Sequence, residues 1–177
     1  MIAVQTLWAG PWMVRVSGYD PLESATGLFW INTTMLIAFL TWGYFLPKFR
    51  KYGLDAVKLM KYGLPISYLA LLVIIFSGEN AGAVHFTIYI LTSIVLTLTQ
   101  PAVAMSFSTS MAGKSLTSFN LLIFLGTFIM QWGIGLVIDL SQFLGKGETQ
   151  SFQISFFVYF IICVLCYLYF VLNHKNE

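Results

Sequence analysis

Five long stretches of the chain carry no Asp, Glu, Lys or Arg, and they determine the first expectation about the fold. In order, these uncharged stretches are 27–46, 62–78, 81–113, 115–138 and 149–173. Each except the second exceeds the length of about 18 apolar residues that marks a membrane-spanning helix. The second reaches that length when its helix begins near Ala56, with Lys58 and Lys61 extending toward the membrane surface.

The apolar runs favour helices over membrane-spanning strands, because they are continuous, whereas such strands alternate over about 10 residues. We therefore expect an all-α membrane protein that forms one unit over 1–177. The segment 1–17 is too short to cross about 30 Å of hydrocarbon, so it predicts a partial first helix. The five full transmembrane helices are expected at about 27–46, 56–78, 83–105, 115–138 and 150–172.

Composition supports a lipid environment. The chain is 58% hydrophobic and 9% charged. Soluble domains typically contain about 45–50% apolar residues and about 25% charged residues. A compact soluble core of 177 residues could not absorb this excess. We expect the lipid bilayer as a partner, and no nucleic acid.

The distribution of cations predicts the orientation. Because cytoplasmic loops carry an excess of Lys and Arg, the cation-rich link from Pro47 to Lys61 is expected on the cytoplasmic side. Helix alternation then leaves Arg15 and Lys146 outside, with the other seven of the nine cations and the C-terminus inside. The expected location is the cell inner (plasma) membrane, crossed several times.

No pattern in the chain predicts catalysis, a cofactor or a metal site. The turn 113–115 ends like a phosphate-binding loop but lacks the glycine that this loop needs at Ser108. Cys163 and Cys166 form C-x-x-C inside an apolar span, where small core residues are favoured over a redox pair. Asn32 begins a glycosylation sequence, but it lies within the first span. We expect no enzyme activity, because no metal-ligand cluster or pair of acids lies at membrane depth.

Polar side chains on the fourth span form one stripe. Thr117, Asn120, Thr127 and Gln131 follow at spacings of 3, 7 and 4 residues, which places them on one face of a helix. Such a face contacts protein or water rather than lipid. Hydrogen bonding between helices and lining of a cavity are both open for Asn120 and Gln131, and interhelical bonding is favoured for the threonines.

Two runs of sequence resemble bacterial transporters of the major facilitator superfamily. The segment 5–12 resembles the Q-x-L-W-A-G-P-[WYF] run that ends the first helix of the C-terminal half in that superfamily. The segment 43–53 resembles its G-x-x-x-D-R-x-x-R-x-G loop, with Pro47 in place of the acid. The glycine and basic positions of this expected cytoplasmic signature loop are Gly43, Lys48, Arg50, Lys51 and Gly53.

A third resemblance covers Gln100 to Gly135. Residues 112–120 and 131–135 are similar to an A-G-R-x-x-T-x-x-N and Q-W-G-x-G pair in one bacterial subset of the same superfamily. The resemblance implies a protein of two six-helix halves with its substrate site near the membrane midplane between them. It further implies that this chain is a C-terminal half whose partner is a missing N-terminal half.

The expected function is therefore secondary active transport of a small organic solute by alternating access, with the chain present as a C-terminal fragment. Gln5 and Trp8 share a helical face by their spacing of three, and an indole beside amide groups suits an organic solute. A non-transporting integral membrane scaffold or interaction subunit is the alternative, and it would need no accessible cavity. The residues expected to line a substrate cavity are Gln5, Trp8, Asn120, Thr127 and Gln131.

Overall fold

The computed structural model describes residues 1–51 and 56–173, without the side chains of 46–47 and 49–51. The described residues are 91% helical and form no strand, which confirms the expectation of an all-α protein. The helical elements in chain order are a π-helical turn (Val4–Trp8), α1 (Ala9–Arg15), α2 (Pro21–Lys51), α3 (Ala56–Ser77), a 3₁₀ turn (Gly78–Asn80), α4 (Ala83–Ser93), a 3₁₀ segment (Ile94–Leu98), α5 (Thr99–Met105), α6 (Thr109–Phe143) and α7 (Glu148–Asn173).

Among the described residues, five helical spans are long and apolar enough to cross a membrane, so the protein is a multi-pass membrane protein. These spans are Pro21–Phe45, Ala56–Asn80, Ala83–Met105, Thr109–Phe143 and Glu148–Asn173. The fourth is longer than the expected 115–138, because Lys114 and Asp139 end the uncharged run without ending the helix. The third combines α4, the 3₁₀ segment and α5.

The expected signature loop lies largely inside α2. Gly43 and Lys48 are in the last turns of this helix, which continues to Lys51. Pro47 has no backbone N–H, so α2 lacks one helical hydrogen bond at this residue, and the helix nevertheless continues to Lys51. The Lys48 ammonium lies 4.1 Å from the centroid of the Tyr44 ring, a cation–π contact one turn away. The side chains of Arg50 and Lys51, and all of Gly53, lie outside the described residues.

The short N-terminal helix is at the centre of the bundle. Val4, Ala9, Trp12 and Met13 have no exposed surface. α1 packs against α2 and α7, and the π-helical turn packs against α6. The segment that is too short to span the membrane therefore contributes fully buried side chains to the main core of the protein.

The remaining helices surround this centre in a defined order. α4 packs between α2 and α3, and α7 packs between α3 and α6. At one end of the bundle, Arg15 forms an ion pair with Glu148 at 2.6 Å. Thr149 donates a hydrogen bond to Glu79 at 3.3 Å at the same end. The end of α1, the turn after α3 and the start of α7 thus meet, as the expected alternation of the spans requires.

Candidate substrate cavity

A cavity of about 840 Å³ lies between α2 and α6, and we call it the central cavity. Its walls come from the first six residues, α2, the region 96–100, α6 and Tyr159 of α7. Pockets that hold small organic molecules measure roughly 300–1,000 Å³. The central cavity is therefore large enough to hold a small organic molecule.

A pair of amides forms the polar part of one wall. The Nε2 atom of Gln5 donates to Oδ1 of Asn32 at 3.0 Å, and Nδ2 of Asn32 donates to the carbonyl of Leu28 at 2.7 Å. The Leu28 carbonyl can only accept, so it fixes the orientation of the Asn32 amide and, through it, that of Gln5. The amide oxygen of Gln5 receives no hydrogen bond from any described residue, and it is the free end of this chain of bonds.

The threonines of the cavity wall fall into two groups. Thr6, Thr97 and Thr99 each donate their hydroxyl to a backbone carbonyl in the preceding turn, at 2.7–2.8 Å. Thr127 makes no such bond to a described residue, although it lines the same cavity. Its hydroxyl is therefore a second polar group with hydrogen-bonding capacity left for a ligand.

The rest of the wall is mostly apolar. Met35, Phe39, Phe119 and Leu122 are among the residues that contribute this surface. No acidic or basic side chain occurs among the described residues that line the cavity. The α-amino group of Met1 also reaches the wall, where it donates to the Tyr159 hydroxyl at 2.7 Å.

Irregular backbone lies on two sides of the central cavity. The π-helical turn Val4–Trp8 carries Gln5, and the 3₁₀ segment Ile94–Leu98 carries Thr97. Pro101 has no N–H to donate to the Thr97 carbonyl, so one α-helical hydrogen bond is missing where the 3₁₀ segment meets α5. At membrane depth, such backbone is tolerated where it is buried in protein or lines a cavity, and π-helical turns often occur at functional sites.

The structure separates the residues that the sequence analysis assigned to one cavity. Gln5 and Thr127 lie in the wall of the central cavity. Trp8 and Gln131 line a smaller cavity of about 340 Å³ instead. Asn120 lines neither cavity, and its amide oxygen accepts a hydrogen bond from Gln100 at 3.4 Å.

Gln131 and Trp8 join the N-terminal segment to α6. Nε2 of Gln131 donates to the Thr6 hydroxyl at 2.8 Å, and the indole Nε1 of Trp8 donates to the Gln131 carbonyl at 3.0 Å. Hydrogen bonds of this kind hold membrane helices together. Both side chains therefore have structural partners, which leaves Gln5 and Thr127 as the sequence candidates in the central cavity.

Six polar residues of the central cavity were not among the sequence candidates: Thr6, Asn32, Thr97, Thr99, Gln100 and Tyr159. Asn32 was considered as a glycosylation site, although an amide within an uncharged span is itself a signal of a functional position. Gln100 lies at the edge of a kinked span, and Tyr159 is one of many aromatic residues in α7. The described part of the chain holds no group of three His, Cys, Asp or Glu residues that could bind a metal ion.

No protein-family model matches the chain, and no curated protein or solved structure is significantly similar to it. Any conclusion about function therefore rests on the central cavity and on the residues that line it.

Proposed function

We propose that this chain is one half of a secondary active transporter that moves a small organic solute by alternating access. The observation that supports this most directly is the central cavity, which is partly open and is bordered by segments of the apolar spans. Thr127 stands near the middle of the 35-residue helix α6. Transporters commonly place their substrate site near the midplane and build it partly from broken helices.

The partner in this proposal is a second bundle of helices, corresponding to the N-terminal half of the superfamily. The spans of α2 and α6 form walls of the central cavity, and their apolar windows are 6% and 11% buried, against 33% for Ala56–Asn80 and Ala83–Met105. Large apolar side chains cover the exposed faces, including Trp30 on α2 and Phe128 on α6. Because the outer faces of α2 and α6 are so exposed, a second bundle of helices can pack against them and complete the site.

The proposed orientation places the ends that carry Lys48 and the C-terminus in the cytoplasm of a cell with the chain in its inner membrane. In a background with Cys163 and Cys166 replaced by alanine, we expect Lys146→Cys to react with a membrane-impermeant maleimide in intact cells. Lys48→Cys should react only after the membrane is opened, because the cation-rich link lies inside. Reaction of Lys48→Cys in intact cells would overturn the orientation.

Alternating access predicts that one cavity residue is reached from each side of the membrane in turn. In the same cysteine-free background, we expect Thr127→Cys to react with the impermeant maleimide both in intact cells and in inside-out vesicles. The experiment uses cells that make the chain naturally, so that a partner bundle is present. Labelling from one side alone, or from neither, would favour the scaffold over the transporter.

Leu125→Cys is the matched control for this experiment. Leu125 lies two residues away on α6, is 53% exposed and does not line either cavity. A thiol in contact with hydrocarbon does not ionise and reacts slowly with maleimides. We therefore expect Leu125→Cys to remain unlabelled from both sides, which separates access through the cavity from general exposure.

A further inference from the structure

The chemistry of the central cavity specifies its ligand beyond a small organic solute. We propose that the cavity binds an uncharged, amphipathic organic molecule that donates a hydrogen bond to the amide oxygen of Gln5 and rests its apolar part against Met35, Phe39, Phe119 and Leu122. This assignment rests on the proposed function, since it names the class of solute that the same site takes. Measurements of ligand binding test it separately from transport.

The absence of charge on the ligand follows from the described wall. No acidic or basic side chain lines the cavity, and a charge brought out of water without a partner is strongly disfavoured. The described side chains of the wall therefore offer no counter-charge to a charged ligand. A neutral ligand is the one that this wall accommodates without an unpaired charge.

The need for a donor on the ligand follows from the direction of the amide chain. Asn32 is anchored by the Leu28 carbonyl, and Gln5 donates to Asn32. Nε2 of Gln5 also lies 3.1 Å from the sulfur of Met35, so its hydrogens point into the protein. The free Gln5 oxygen is an acceptor, so a hydroxyl or N–H group is its complement. The Thr127 hydroxyl, in the wall of the same cavity, offers a further donor or acceptor to the ligand.

A set of dansyl compounds tests charge and donor separately on one fluorophore. Dansylamide is neutral and carries an N–H donor, while its N,N-dimethyl analogue is neutral without one. Dansylglycine is an anion, and dansylethylenediamine is a cation. The chain is purified from cells that make it naturally, so that a partner bundle stays bound, and is placed in lipid nanodiscs. Binding is measured as tryptophan-sensitised dansyl emission, because Trp8 belongs to the same π-helical turn as Gln5. Empty nanodiscs give the background from partition into lipid.

We expect saturable binding of dansylamide and at least about tenfold weaker binding of both charged probes, because neither charge finds a partner in the wall. The dimethyl analogue should bind about three- to tenfold more weakly than dansylamide, the effect of one hydrogen bond. In Gln5→Met this difference between the two neutral probes should disappear. A purely structural role of Gln5 would weaken both probes equally.

Two glycines of α6 provide a matched test of where the probe binds. A Cβ atom added at Gly126 or at Gly133 meets no atom within 4 Å, but Gly126 lines the central cavity and Gly133 does not. Gly126→Phe should therefore abolish dansylamide binding, and Gly133→Phe should leave it unchanged. The proposal is overturned when dansylamide does not bind saturably, when its binding survives Gly126→Phe, or when either charged probe binds as tightly.

The outcomes also distinguish this proposal from the proposed function. Binding without two-sided labelling of Thr127→Cys would support the ligand class and reject alternating access. Two-sided labelling with tighter binding of dansylglycine would keep transport and reassign the cavity to an anion.

Discussion

Replacement of Trp12 by alanine is expected to lower the free energy of unfolding by about 3–5 kcal/mol, the range for removing a large buried aromatic side chain. Trp12 has no exposed surface, and its ring centroid lies 6.2 Å from that of Phe86, 6.0 Å from Phe152 and 4.6 Å from Phe156. These rings come from α4 and α7, so the indole joins three parts of the bundle. Unfolding in mixed micelles of a mild detergent and sodium dodecyl sulfate measures the loss.

Trp30→Ala is the control, because Trp30 is 60% exposed on the outer face of α2 and should cost far less. Trp12→Phe adds a second comparison. The indole Nε1 of Trp12 is buried and has no acceptor among the described residues, so phenylalanine removes an unpaired donor while it keeps an aromatic ring. The loss should lie well below that of Trp12→Ala. Equal losses for Trp12→Ala and Trp30→Ala would show that the N-terminal helix is not the centre of the bundle.

The spans could be predicted from sequence because hydrocarbon imposes both their length and their lack of charge. The same rule does not show which apolar helix is buried. Lipid-facing side chains such as Phe124, 73% exposed, are as apolar as Trp12, which is fully buried. The central position of the N-terminal helix therefore had no signature in hydrophobicity, and only its short length marked it as different.

Helix ends were harder to predict than helix positions. The sequence predicts that the first span ends before Pro47, but α2 continues to Lys51, because the proline removes only one helical hydrogen bond. Conversely, the third span is unbroken in hydrophobicity but changes to 3₁₀ geometry at Ile94–Leu98. Side-chain hydroxyls of Thr97 and Thr99 accommodate that change by bonding nearby carbonyls, a role that residue type alone does not reveal.

The polar stripe on α6 shows what spacing can and cannot predict about a site. Asn120 and Gln131 both contact protein groups, Gln100 and Thr6, as residues on a face turned away from lipid should. Spacing on one helix does not show which neighbour each side chain meets. Thr127 lines the central cavity, whereas Gln131 bonds Thr6 where the N-terminal segment packs against α6, a contact over more than 120 residues of sequence.

Gly63 on α3 holds that helix against the 3₁₀ segment that forms part of the cavity wall. A Cβ atom at Gly63 would lie 2.8 Å from Cγ1 of Val95, and Val95 is 8% exposed, so it has little room to move. We expect Gly63→Ala to be less stable than Gly43→Ala by about 1–3 kcal/mol, the usual cost of overpacking a core. Alanine stabilises a helix relative to glycine, and this gain is the same in both variants. Gly43→Ala is the control, because a Cβ atom added at Gly43 meets no atom within 4 Å.

The collision with Val95 can be relieved by a second substitution, which makes the prediction specific. Val95→Ala removes both γ carbons that lie 2.8 and 3.2 Å from the added Cβ atom, and its β carbon at 3.4 Å is an ordinary contact. The double variant Gly63→Ala/Val95→Ala should therefore recover part of the stability lost by Gly63→Ala, measured as the shift in thermal unfolding in detergent. Strictly additive losses would show that α3 and the 3₁₀ segment are not in direct contact at this point.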